Sequence, residues 1–248
     1  MTESTHTILI SGWGTSRGRM EVLADRLGLQ DFTALSLKDL YERGNSVAAR
    51  DGEISVYSAG LGNILTQAGS SANILGWSTG GVVALESAGR TPERVRRLIL
   101  LSTTPKFCAD ESFPHGTPLP NLRAMQKGIR RAPEQTMMQF LVQAGTPLRM
   151  DDGQIEETVA DAMAQGRDVL AHGLQYLETS DFRQAVPGID CPALIIHGQR
   201  DRIIPWRAAE WLHQNLPHSE LLLYPRGGHL LTAQHGNEIV PKIEKFLR

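Results

Sequence analysis

Three side chains set far apart in the chain, Ser78, Asp201 and His229, have the types and the local surroundings that acyl transfer requires. A serine hydroxyl is a poor nucleophile near neutral pH, so it needs a base to take its proton and an acid to orient that base. Ser78 lies in "ILGWSTGG" (74–81), after the apolar run "ANIL" and before "GGVVALESA". Strand, sharp turn and helix in that order push a nucleophile out from the C-terminal edge of a sheet. The G-x-S-x-G pattern alone is weak, because a glycine-rich helix entry with a solvent-facing serine has the same letters. Its partners add weight. Asp201 follows the run "ALIIHG" and His229 follows "ELLLYP", so each candidate sits in a loop after a strand at one edge of the sheet.

Each partner has a plainer alternative. Asp201 could pair with Arg200 or Arg202, and His229 could be a turn or capping residue. His197, at the strand end before the aspartate, and His235, in the next helical stretch, are rival bases. Acyl transfer also needs donors aimed at the developing oxyanion. The backbone N–H groups of Thr79, directly after the serine, and of Trp13 in "ISGWGT" are the candidates. Packing in the core or under a lid is the alternative for Trp13.

Positioning such a set requires strands that end together. Short apolar runs recur at 6–11, 32–37, 72–77, 95–102, 193–198 and 220–225, several of them continuously apolar, as strands covered on both faces are. Helical spacing separates them in "GRMEVLADRLG", "GGVVALESAGR" and "PWRAAEWLHQNLP". The pattern predicts a wound α/β fold with a mostly parallel central sheet flanked by helices. From 105 to 179 the rhythm breaks: a Pro/Gly loop, "FPHGTPLPN", leads into "PEQTMMQFLVQA" and "IEETVADAMAQGRDVLAHGLQYLE" with no convincing strand. This segment is expected to be a helical lid inserted in a core formed by 1–104 and 180–248. The stretch 38–58 reads as loop, helix or both.

Composition narrows the classes. The 248 residues are 41% hydrophobic and 21% charged, with a net charge of -2, which suits a globular chain and argues against a general nucleic-acid binder. Cys108 and Cys191 lack disulfide or zinc-ligand spacing and are expected as free thiols in a reducing compartment. The start "MTESTHTILISGW" lacks secretory-signal features and no apolar run is long enough for a bilayer, so a cytoplasmic location without membrane contact is expected.

These residues resemble the α/β-hydrolase superfamily, and within it the pimeloyl-[acyl-carrier protein] methyl ester esterases of biotin synthesis. The resemblance rests on "SGWGTS", "GWSTGG", "TPERVRRLILLSTTPKFCADESFP" and "GLQYLETSDFRQAVPGIDCPALIIHGQRDRIIP". It implies an α/β-hydrolase fold and an esterase in which Ser78 attacks, His229 shuttles the proton and Asp201 holds the imidazole. No metal or organic cofactor is implied. The substrate would be the methyl ester of a pimeloyl chain tethered to acyl-carrier protein, with Trp13, Trp77 and Phe140 lining the acyl channel; core packing is the alternative for Trp77 and Phe140. Two departures stand out. "LSLKDLYERGNS" replaces the family's D-x-P-G-x-G-x-S loop, and "PEQTMMQF" with "MDDGQIEE" occupies the place of the lid arginines. Arg123, Lys127, Arg130 and Arg131 are candidates for a substitute patch, unpartnered surface charge being the alternative. A broad short-acyl esterase, lactonase or carbon–carbon bond hydrolase on the same triad is the second reading, and a non-catalytic binding protein the third.

Overall fold

The structure, a computed structural model, describes residues 5–47 and 54–248. Six strands form one sheet: β1 (Thr7–Ile10), β2 (Phe32–Leu35), β3 (Ala72–Trp77), β4 (Val95–Leu101), β5 (Ala193–Gly198) and β6 (Ser219–Tyr224). Their order is β2-β1-β3-β4-β5-β6 and every neighbouring pair is parallel. The apolar runs explain this arrangement. Every residue of β1, β3 and β5 is buried, as interior strands with both faces covered must be.

The helices, in chain order, are α1 (Gly18–Arg26), α2 (Leu37–Val47), α3 (Val56–Ala68), α4 (Thr79–Arg90), α5 (Leu119–Arg131), α6 (Pro133–Gly145), α7 (Asp152–Gln165), α8 (Arg167–Thr179), α9 (Arg207–Asn215) and α10 (Leu231–Leu247). The four from α5 to α8 all fall between β4 and β5. Their two flanks are stitched together: Lys106 and Asp181 form an antiparallel bridge, and Phe182 N–H donates to Pro105 O at 2.9 Å. The long helical pattern of 155–178 divides at Gly166, whose φ of 94° is left-handed and ends α7.

The ambiguous stretch 38–58 is helical at both ends, and its residues 48–53 lie outside the described residues. Local signals account for both helices. Ser36 Oγ accepts from Asp39 N at 3.2 Å while Asp39 Oδ2 accepts from Ser36 N at 2.8 Å, a reciprocal cap at the start of α2. Ser55 Oγ caps α3 by accepting from Ser58 N at 3.1 Å.

Strand order reverses between β1 and β3, the switch point at which crevices form outside the C-terminal edge of open α/β sheets. Ligands of open α/β sheets bind in such crevices. Ser78 follows β3 and Trp13 follows β1, on the two sides of this switch point.

Candidate active site

Ser78 has φ 55° and ψ -122°, a backbone conformation that costs a non-glycine residue about 1–3 kcal/mol. Neighbouring groups hold it there. Its N–H donates to Leu101 O at 2.9 Å, and its carbonyl accepts from Gly81 N at 2.9 Å and from Thr103 Oγ1 at 2.8 Å. The turn is tight enough that a Cβ at Gly76 would collide with the backbone of Gly80 and Gly81, and one at Gly80 with the carbonyls of Ile10 and Ser11. The strained elbow turns the Ser78 hydroxyl towards the loop after β6.

The loops after β5 and β6 bring the other two candidates to it. His229 Nε2 lies 2.9 Å from Ser78 Oγ, and His229 Nδ1 lies 2.7 Å from Asp201 Oδ2. An ionised carboxylate only accepts, so Nδ1 carries the proton and the lone pair of Nε2 faces the serine hydroxyl. The other carboxylate oxygen, Asp201 Oδ1, accepts from the N–H groups of Ile203 at 2.8 Å and Ile204 at 2.9 Å. Burial pushes the Asp201 carboxyl up, but the electrostatic pull of the two neighbouring histidines, His229 above all, outweighs it and holds the group well below the usual carboxylate range. Pairing with Arg200 or Arg202 is not what occupies this aspartate; among the described residues its ion-pair partners are the two histidines.

The loop of Gly12 and Trp13 presses against the serine, since a Cβ at Gly12 would stand 3.1 Å from Ser78 Cβ. Among the described hydrogen bonds, none engages the backbone N–H of Trp13 or Thr79. The three aromatic candidates cluster around His229. Trp77 lies 5.7 Å from its ring and donates its indole N–H to His229 O at 3.2 Å. Phe140, from α6, is 6.5 Å from His229 and meets Trp13 edge-on at 5.1 Å. The Trp13 indole in turn donates to Leu170 O of α8 at 2.8 Å. Ser78 is 6% exposed and His229 1%, so the α5–α8 insertion leaves the pair almost dry.

A cleft of about 500 Å³ opens beside the site between α1 and α7. Met20, Leu23, Trp77, Met150 and Leu230 give it an apolar side, while Arg19 and Glu157 stand on its polar side. Another cleft, of about 540 Å³, surrounds His6, Asp31 and Arg96 at the opposite edge of the sheet, away from this chemistry. Among the described residues, no group of three or more His, Cys, Asp or Glu side chains is arranged to hold a metal ion.

The rival bases are elsewhere. His235 contacts Glu238 at 3.0 Å and the Tyr224 ring, and His197 lies behind Asp201, on the side away from Ser78 in the hydrogen-bond chain. Cys108 and Cys191 are free thiols; burial pushes Cys191 up to about 11 and raises Cys108 too. Arg123 is engaged by Glu178 at 3.1 Å, whereas Lys127, Arg130 and Arg131 have no partner among the described residues. Sequence reasoning missed the contact of His197 with Asp201, although the two are four residues apart across a strand end. It also missed Glu86, a buried carboxylate in the apolar pattern of α4 that binds Tyr176 OH of the insertion at 2.9 Å.

Residues 4–235 match the family model described as Serine aminopeptidase, S33. A pimeloyl-[acyl-carrier protein] methyl ester esterase of Neisseria meningitidis serogroup B / serotype 15 (strain H44/76) is 32% identical over 240 residues, spanning 96% of this chain and 91% of that protein. In fold, the chain is similar to an esterase from Exiguobacterium antarcticum, with a TM-score of 0.83 at 17% identity over 98% of this chain and 91% of that one. It is equally similar to a bromoperoxidase from Bacillus anthracis, with a TM-score of 0.85 at 19% identity over 98% of this chain and 92% of that one. The chain belongs to the α/β-hydrolase family.

Proposed function

We propose that this α/β hydrolase is a serine carboxylesterase that cleaves the methyl ester of a pimeloyl chain carried on acyl-carrier protein, a step of biotin synthesis. The chemistry is carried by one observation, the unbroken hydrogen-bond path from Asp201 through His229 to Ser78. Ser78 Oγ attacks the ester carbonyl as His229 Nε2 takes its proton, and the N–H groups of Trp13 and Thr79 receive the oxyanion. His229 returns the proton to the departing methoxide, which leaves as methanol. A water deprotonated by His229 then attacks the acyl-enzyme, releasing the acid and restoring Ser78. Asp201 keeps the imidazole in the required tautomer and stabilises its cation. These steps call for no metal or organic cofactor.

The substrate assignment is supported by the likeness to esterases of that name, by the ring of Trp13, Trp77 and Phe140, and by the apolar cleft beside Trp77. The near-complete burial of Ser78 supports a lid role for α5–α8, which must move to admit an ester. The carrier is supported by α5, which bears Arg123, Lys127, Arg130 and Arg131 and no acidic residue. Its exposed face suits an acidic partner. No helix among the described residues is long and apolar enough to cross a membrane.

Initial rates on the carrier-linked methyl ester and on a short p-nitrophenyl ester test this reading. Ser78→Ala should lower both by about 10⁴-fold or more, and Lys127→Glu/Arg130→Glu/Arg131→Glu should lower kcat/KM about tenfold for the carrier ester alone. Undiminished cleavage by Ser78→Ala overturns the chemistry. Cleavage of the small ester only removes the carrier and leaves a short-acyl esterase.

A further inference from the structure

His197 is the penultimate residue of β5 and stands four residues before Asp201. It is 0% exposed, in a position where a leucine would fill space without the cost of burying an imidazole. Its Nε2 lies 3.0 Å from Ile204 O and 3.3 Å from Asp201 Oδ2. A carbonyl and a carboxylate both accept only, so Nε2 bears the hydrogen; it is donated to Ile204 O, with Asp201 Oδ2 at ion-pair distance beside it. Its Nδ1 has no hydrogen-bond partner among the described residues. All the polar contact of this ring therefore runs through the one N–H that faces the aspartate.

That contact closes a ring around the aspartate turn. Ile204 gives its N–H to Asp201 Oδ1 and takes the His197 N–H on its carbonyl, so His197 ties both ends of the 201–204 turn to β5. Oδ2 receives the ring N–H of His229 on the side of the serine, and the polar N–H edge of His197 lies 3.3 Å behind it. The neighbour of His197 in register on β6 is Leu223, and no ionisable side chain other than these two histidines pairs with Asp201 among the described residues.

We propose that His197 is a positioning residue: anchored on Ile204 O, its Nε2–H holds the 201–204 turn so that Asp201 Oδ2 stays in line with His229, and its positive edge 3.3 Å from that oxygen limits how strongly the oxygen pulls on the His229 N–H. The proposal rests on the triad reading above. Removing His197 leaves Oδ1 on the N–H groups of Ile203 and Ile204 but loosens the turn that carries them, and Oδ2 then faces His229 alone. Turnover then falls because the imidazole is misaimed, and the acidic limb of the pH–rate profile moves up because the imidazolium is held more tightly. A histidine that only fills the core has neither effect.

The experiment compares His197→Leu, His197→Gln and His197→Asn with wild type and Ser78→Ala, reading kcat, KM, the pH profile of kcat/KM on a p-nitrophenyl ester, and Tm. The Gln amide nitrogen reaches the place of Nε2, while the shorter Asn amide reaches only that of Nδ1, which touches nothing. His197→Leu should lower kcat about ten- to thirtyfold with KM nearly unchanged and move the acidic limb upward. His197→Gln should restore most of both and His197→Asn should not, so the Gln–Asn contrast decides the matter even where the Leu variant is poorly folded. Equal kcat for Gln and Asn with an unmoved limb overturns the proposal while leaving the triad intact. Activity retained by Ser78→Ala instead marks failure of the triad reading itself.

Discussion

Two buried carboxylates, one at the end of β5 and one in the middle of α4, show how differently the same group can be used. Asp201 and Glu86 are both enclosed and both surrounded by donors. Glu86 accepts from Ser55 N at 3.0 Å, Ser55 Oγ at 2.6 Å and Tyr176 OH at 2.9 Å, with Arg90 at 3.6 Å. Those donors come from the cap of α3, from α8 and from α4 itself, so Glu86 fastens three helices together. Burial and then the negative charge of Glu86 push the Tyr176 hydroxyl well above its ordinary value, which keeps it a donor. Asp201 joins fewer elements, but one of its donors, His229, turns its other nitrogen to a hydroxyl. A satisfied buried carboxylate is thus structural unless one of its partners has somewhere to pass a proton.

The largest expected effect breaks the contrast at Asp201. Asp201→Asn keeps the shape but lets His229 adopt the other tautomer, and kcat should fall about 10³–10⁴-fold. Burst and steady-state kinetics would show it, with circular dichroism confirming a native fold; a loss under tenfold would put Asp201 on the same footing as Glu86. A smaller effect is expected from Tyr176→Phe, which removes one donor from Glu86. Stability should drop by about 1–3 kcal/mol, a fall in Tm of about 2–10 °C, with kcat on a small ester within about threefold of wild type. Calorimetry and kinetics on the same sample separate the two, and a large loss of kcat at unchanged Tm would erase the distinction. The smallest effect concerns acid. Because the Asp201 carboxyl is held below its unfolded value, its stabilisation is complete above about pH 4 and is lost as pH falls through the lower folded value. Urea midpoints between about pH 5 and pH 2 should therefore fall more steeply for wild type than for Asp201→Asn. Parallel slopes would mean that the folded enzyme does not favour the ionised group.

The same two sites mark what the sequence discloses. Asp201 was legible because strand, loop and chain order are local signals, and the six apolar runs coincide with β1 to β6 to within two residues at either end. Glu86 was not, since Tyr176 lies 90 residues away and nothing in "GGVVALESA" announces the partner. The contact of His197 with Asp201 was within reach: a histidine one residue before the end of an apolar strand, four before a candidate acid, is a buried donor beside a carboxylate. The two helices of 37–47 and 56–68 carried readable caps, Ser36 with Asp39 and Ser55, which the mixed polarity of the stretch obscured. The split of 155–178 turned on a single glycine whose backbone angle no periodicity reveals.

The stitch between the flanks of the insertion also bears on how the molecule can be altered. Pro105 and Phe182 are joined by a 2.9 Å backbone hydrogen bond, and Lys106 and Asp181 pair beside it, so the chain leaves the core and returns to it at one point. An exchange of the insertion would therefore have to preserve more than its two ends, since α8 also holds the Trp13 indole through Leu170 O and Glu86 through Tyr176 OH.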